Sequence, residues 1–144
     1  MSAPHALVLT APGTNRHPDV MFALQQAGAT TSALNMHQLR DQPNVINNAQ
    51  MVVVAGGFSF ADALGAGRLF ALELSEIVGS AIQVAAQAGK PVIGICNGFQ
   101  TLVSWSVARQ ASRSTWTQRS WWISMQLDFH EANVETQCVD SKLD

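Results

Sequence analysis

The sequence predicts an α/β fold in which helices cover a parallel β-sheet. Four apolar runs of strand length alternate with longer stretches of helical pattern. The strongest runs are apolar at nearly every position rather than at every second one, the mark of strands buried on both faces. Glycine- and proline-bearing turns punctuate them, as connections between strands and crossover helices require.

Residues 6–10, Ala-Leu-Val-Leu-Thr, form the first buried strand, ended by the turn Ala11-Pro12-Gly13-Thr14-Asn15. Residues 18–27 suit a helix with Pro18 in its first turn, apolar Val20, Met21, Phe22 and Leu24, and Gly28 as its stop. Residues 29–34, rich in Thr and Ala, make a weaker strand, and residues 51–55, Met-Val-Val-Val-Ala, a strong one. Residues 69–88 read as one long helix carrying Leu69, Leu72, Ile77, Ile82 and Val84, closed by Gly89-Lys90-Pro91. Residues 92–95 are the next strand, residues 102–108 continue a helix after it, and residues 123–129 suit a further strand. No internal repeat is present.

Composition narrows the function classes. A chain of 144 residues, 47% hydrophobic and 12% charged, fits one globular domain with a substantial core. A net charge of −2 gives no electrostatic reason to expect nucleic acid or an anionic membrane as partner. Gly, Gln or Glu interrupts each long apolar stretch before it could cross a bilayer. The start, Met1-Ser2-Ala3-Pro4-His5, lacks the basic region of a signal peptide. Two cysteines, Cys96 and Cys138, make no disulfide framework, so a cytoplasmic location without membrane, nucleic acid or metal is expected.

The run Val92-Ile93-Gly94-Ile95-Cys96-Asn97-Gly98-Phe99-Gln100 carries the chemistry. A buried strand breaks at a glycine-flanked cysteine where a helix should begin, the pattern of a nucleophile elbow. Gly94 and Gly98 lack the β-carbons that would collide across so tight a turn. The helix that follows brings N–H groups and a positive dipole end beneath the sulfur, favouring thiolate. The bland alternative is a buried cysteine closing a core strand. A second motif, Gly56-Gly57-Phe58-Ser59-Phe60-Ala61-Asp62, follows the 51–55 strand directly. Paired glycines there let the backbone turn its N–H groups into a site, as an oxyanion hole requires; alone they are an ordinary turn. Adjacent strands of a parallel sheet open onto one crevice, which makes the pair of motifs worth more than either.

Pro12-Gly13-Thr14-Asn15, Gly56-Gly57-Phe58-Ser59, Leu64-Gly65-Ala66-Gly67-Arg68 and Cys96-Asn97-Gly98-Phe99-Gln100, in that order, resemble the glutaminase part of phosphoribosylformylglycinamidine synthase. That family belongs to the class I, or triad, glutamine amidotransferases. The resemblance covers residues from about Ala6 to Ser104. It implies a flavodoxin-like, doubly wound α/β sheet that hydrolyses L-glutamine and passes ammonia to a synthetase subunit or domain, where ATP and magnesium act; this chain itself would hold no cofactor. By the same resemblance Cys96 is the nucleophile, the N–H groups of Gly57 and Asn97 form the oxyanion hole, and Gln100 holds the substrate. Phe58 and Phe99 are expected to fill core volume. The stretches Pro12 to Asn15 and Leu64 to Arg68 are expected to shape the rim. Ala61 stands where the family often has glycine, Ala55 where it often has proline, and Arg16 where cysteine is frequent.

A triad also needs a histidine and a carboxylate. The histidines are His5, His17, His37 and His130, and none stands in an H-x-E element of the family type. Beyond Ser104 the pattern changes: Trp105, Trp116, Trp121 and Trp122 fall among Ser, Thr, Arg and Gln at no clear period. The expectation is therefore an amidotransferase part in residues 1–104 and a divergent tail in residues 105–144, from a truncated gene or a shifted frame. Two other functions stay open: a noncatalytic remnant or subunit that keeps the fold and partner face, and, more distantly, a redox or stress protein with a cysteine elbow. Gly56-Gly57 and Gln100 speak against the last.

Overall fold

The computed structural model describes residues 2–110, 123–125 and 137–138. Strands β1 (His5–Thr10), β2 (Thr30–Asn35), β3 (Met51–Val54), β4 (Val92–Ile95), β5 (Ile123–Met125) and β6 (Gln137–Cys138) form one sheet in the order β2-β1-β3-β4-β5-β6. Helices α1 (His17–Gln26), α2 (Met36–Asp41), α3 (Val45–Asn48), α4 (Arg68–Ile77), α5 (Gly79–Gln87) and α6 (Asn97–Gln110) lie between the strands in sequence. The β1 to β5 pairings are parallel, with Leu7 opposite Ser32 and Val52, Val53 opposite Ile93, and Gly94 opposite Ser124; β6 joins antiparallel. The order 2-1-3-4-5 is that of a flavodoxin-like doubly wound sheet, as expected, and its direction of winding reverses between β1 and β3.

Alternation along the central strands explains why both faces are covered. Leu7 and Leu9 of β1 and Val52 and Val54 of β3 face one way, into a core completed by Met36, Leu39, Ile46, Phe70, Leu74, Ile82 and Leu102. Val8 and Val53 face the other way, toward Val20, Met21 and Leu24 of α1. Full burial of each such side chain contributes roughly 1.5–3 kcal/mol, so this two-sided core dominates the stability. The outer strand β2 carries Thr30 and Asn35 at exposed positions, consistent with its weaker sequence signal.

One expectation needs correction. The long helix over 69–88 is two helices, α4 and α5, bent by 80°. Val78, with φ −132°, ends one and starts the other, and Gly79 opens α5. Glycine weakens a helix interior, and the bend lets Phe70, Leu74, Val78, Ile82 and Ala85 all reach the core; an unbroken helix of about 20 residues would be a straight rod about 30 Å long. The stretch between β2 and β3 also holds helices α2 and α3, which the polar composition of residues 36–48 conceals; α2 starts on a reciprocal cap between Asn35 and Gln38. The change of sequence character at Ser104 does not end a helix: α6 runs on to Gln110 and Trp105 is buried. Of the strand expected at 123–129, Ile123–Met125 is present beside β4, and residues 126–129 lie outside the described residues. Among the described residues no single helix is long and apolar enough to cross a membrane.

Candidate active site

Strand β4 ends at Ile95 and α6 begins at Asn97, so Cys96 alone makes the turn between them. It does so with φ +53°, the left-handed region that costs a residue with a β-carbon about 1–2 kcal/mol. The side chain stands exposed and unbridged. The Cys96 carbonyl accepts from the N–H of Phe99 at 2.9 Å and of Gln100 at 3.1 Å, which folds the first turn of α6 directly onto the bend.

Glycines make that fold possible. A β-carbon on Gly94 would sit 2.7 Å from the Gly98 carbonyl oxygen and from the Phe99 Cα, and one on Gly98 would overlap the Val54 carbonyl. The helix start is thus pressed against the ends of β3 and β4 at distances only glycine permits. The elbow expected from the sequence is present, with its sulfur at the carboxyl edge of the sheet. The N–H of Asn97 lies in the first helical turn, where amides lack intrahelical acceptors.

The Gly56-Gly57 loop arrives beside it from β3. A β-carbon on Gly56 would lie 3.2 Å from Cys96 Cβ and 2.8 Å from the Ile95 oxygen, so loop and elbow are in close contact. The Gly56 carbonyl accepts from the Arg16 N–H at 3.2 Å. In a planar trans peptide the next N–H, that of Gly57, points the opposite way, away from Arg16. Two further bonds, Phe58 N–H to the Gly13 carbonyl at 3.1 Å and Phe60 N–H to the Pro12 carbonyl at 2.7 Å, zip this loop to the turn after β1. The stretch Pro12 to Asn15, a rim marker in the sequence, is the backing of the glycine loop.

Leu64 to Arg68 acquires a comparable place. Gly67, at φ +71°, caps α4, and a β-carbon there would meet the Thr101 N–H at 2.6 Å. The stretch therefore seats α4 against α6 one turn beyond the nucleophile.

Side chains that the sequence did not single out link the two loops. Asn97 is 2% exposed, donates from Nδ2 to Asp62 Oδ1 at 2.7 Å, and accepts at Oδ1 from the buried Ser59 hydroxyl. Phe60, Ala61 and Asp62 reach these positions through three successive left-handed residues, with φ of 53°, 51° and 53°. Spacing and period carry no signal for that turn; only the polar Ser59 and Asp62 after the glycine pair hint at it.

Gln100 is exposed one turn into α6, on the helix that carries Cys96. Phe58 departs from expectation: it is 66% exposed rather than packed, because its loop is held by main-chain bonds and has no need of its ring. Phe99 is partly buried. Among the described residues no histidine hydrogen-bonds the thiol: His5 Nε2 meets Ser32 Oγ at 3.0 Å, His37 faces Asp41 at 3.6 Å, and His17 Nδ1 is buried without a partner. His130 and Glu131 lie outside the described residues. Among the described residues no cluster of His, Cys, Asp and Glu is arranged to hold a metal.

Comparison with known proteins decides which family builds such a site. The profile of the CobB/CobQ-like glutamine amidotransferase domain matches residues 3–136. The chain belongs to that amidotransferase family. Relatives include the phosphoribosylformylglycinamidine synthase subunit PurQ of Treponema denticola, 50% identical over 100 residues, covering 69% of this chain and 37% of that one. The PurQ subunit of Dehalococcoides mccartyi is 38% identical over 103 residues, covering 72% of this chain and 40% of that one. The chain thus spans about two fifths of the length of the curated relatives it matches. Among solved structures, that of PurLQS from Thermotoga maritima superposes with a TM-score of 0.61 at 25% identity, over 96% of this chain and 64% of that one. The family match and the doubly wound sheet thus agree on an amidotransferase fold, and in this chain Cys96 stands at the end of its β4 strand.

Proposed function

We propose that this amidotransferase chain is the glutamine-hydrolysing component of phosphoribosylformylglycinamidine synthase, acting in de novo purine synthesis in the cytoplasm. The observation that carries the reading is the exposed Cys96 at a left-handed elbow in close contact with the Gly56-Gly57 loop. In this reading the Cys96 sulfur, as thiolate, forms a bond to the side-chain amide carbon of L-glutamine. The carbonyl oxygen becomes an oxyanion and accepts from the N–H groups of Gly57 and Asn97. Return of its electron pair breaks the carbon–nitrogen bond, ammonia leaves with an added proton, and water hydrolyses the thioester to glutamate. Gln100, exposed one turn above the sulfur, holds the substrate. Ammonia passes to a synthetase partner, where ATP and magnesium activate formylglycinamide ribonucleotide for amidine formation.

A second reading has one observation in its favour: among the described residues no histidine bonds the thiol. In that reading the chain keeps the fold and the partner face without turnover. Ammonia release from L-glutamine, measured with the synthetase subunit present, separates the two. Turnover lost in the Cys96→Ser variant supports the first reading; labelling of Cys96 by a glutamine-derived electrophile with no ammonia release supports the second.

A further inference from the structure

Asn97 has a buried side chain whose two polar ends are both taken up by residues of a different loop. Its backbone N–H, in the first turn of α6, is the donor assigned above to the oxyanion. Ser59 and Asp62 both follow Gly57, the other assigned donor, within one short segment. The amide of one side chain therefore couples the two peptides that must face the same oxygen. Asp62 Oδ1 accepts from Asn97 Nδ2 at 2.7 Å, at the short end of the range for an N–H···O bond.

The backbone offers an independent sign that this coupling is maintained against a tendency to relax. Phe60, Ala61 and Asp62 are all left-handed without being glycine, a run that persists only where surrounding contacts over-determine it. The contacts on one side are the Phe58 and Phe60 N–H bonds to Gly13 and Pro12, and on the other the Asp62 and Ser59 bonds to Asn97. The loop is held from both flanks, and the flank facing the elbow consists of the mutually bonded side chains of Ser59, Asp62 and Asn97.

We infer that Ser59, Asp62 and the side chain of Asn97 form a polar clamp that holds the Gly57 and Asn97 amides in register as one oxyanion hole, Ser59 and Asp62 acting as positioning residues. The inference rests on the glutaminase reading for its purpose, and its test does not need glutamine. Chloroacetone and iodoacetamide both alkylate a cysteine sulfur, forming a carbon–sulfur bond and releasing chloride or iodide. A thiolate adding to the chloroacetone carbonyl gives a hemithioketal oxyanion, from which the sulfur displaces chloride at the neighbouring carbon while its bond to the carbonyl carbon breaks and the carbonyl re-forms; displacement of iodide at a saturated carbon develops no oxyanion. The ratio of the two rates at Cys96, resolved from Cys138 by peptide mass mapping, reads the oxyanion hole apart from access to the sulfur.

The full chain is compared with Asp62→Gly, which removes the carboxylate and tolerates the left-handed backbone, Asp62→Asn, which keeps an acceptor, and Ser59→Ala. The expected result is a chloroacetone rate at least about 10-fold lower in Asp62→Gly with the iodoacetamide rate within about 2-fold. Asp62→Asn should recover most of the ratio, and Ser59→Ala should lower it about 3-fold. An unchanged ratio in Asp62→Gly and Ser59→Ala overturns the clamp. So does a parallel fall of both rates with a lowered unfolding midpoint, which marks a purely structural role. A chloroketone bearing the glutamine side chain tests the other question separately: no preference for it over chloroacetone in the unsubstituted chain counts against glutamine as substrate while the clamp ratio still stands or falls by itself.

Discussion

The elbow at Cys96 and the loop over Gly56 to Asp62 leave neighbouring strands at the same edge of the sheet, yet they are built by opposite means. The elbow is made by omission: Gly94 and Gly98 lack β-carbons where the Gly98 carbonyl, Phe99 Cα and Val54 carbonyl crowd in. The loop begins with the same device at Gly56 and Gly57 and then works by addition, with three strained residues tied down by main-chain bonds to Pro12 and Gly13 and by side-chain bonds to Asn97. Close approach fixes a position stiffly and tolerates no added atom. Hydrogen bonds fix it adjustably, and lose their hold in steps. A nucleophile benefits from the first and an oxyanion hole from the second, because the hole must match a charge that appears only in the transition state.

Substitutions that add one carbon should separate the two regions. Gly98→Ala forces a β-carbon onto the Val54 carbonyl in the middle of the sheet edge, and urea unfolding should register a loss of roughly 3 kcal/mol or more. Gly13→Ala overlaps the Phe58 carbonyl at φ +89°, but in a surface loop that can yield; a loss of about 2 kcal/mol is expected. A larger loss for Gly13→Ala than for Gly98→Ala would break the comparison. Gly28→Ala has the same φ of +89° with nothing within 4 Å, so it isolates the conformational part and should lose about 1 kcal/mol. The smallest effect has the opposite sign. Ala61→Gly relaxes a left-handed residue at φ 51° and should stabilise by roughly 0.5 kcal/mol, the glycine's greater unfolded-state freedom offsetting part of the relief.

The same contrast explains what the sequence revealed. The elbow was legible because omission leaves a mark: glycines two residues either side of a cysteine after an apolar strand have few other uses. Strands β1, β3 and β4 were legible for a similar reason, since burial on both faces excludes polar residues outright. The clamp was not legible. Ser59 and Asp62 are ordinary loop residues and Asn97 an ordinary helix start until a left-handed turn brings them together, and no sequence period encodes three successive positive φ values. The break at Val78 leaves no mark in the sequence because its residues keep a helical apolar pattern on both sides, and only the shape of the core decides that one straight helix will not do. Helices α2 and α3 bury chiefly Met36, Leu39 and Ile46, too few apolar positions to outweigh the polar residues around them.

The proposed chemistry requires Cys96 to be a thiol directed at glutamine. The most direct measurement is its rate of modification by a glutamine-derived chloroketone, followed by peptide mass mapping with and without L-glutamine. Cys96 is expected to react at least about 10-fold faster than Cys138, with protection by millimolar L-glutamine. Modification of the two cysteines at similar rates, with no protection by L-glutamine, would contradict that chemistry.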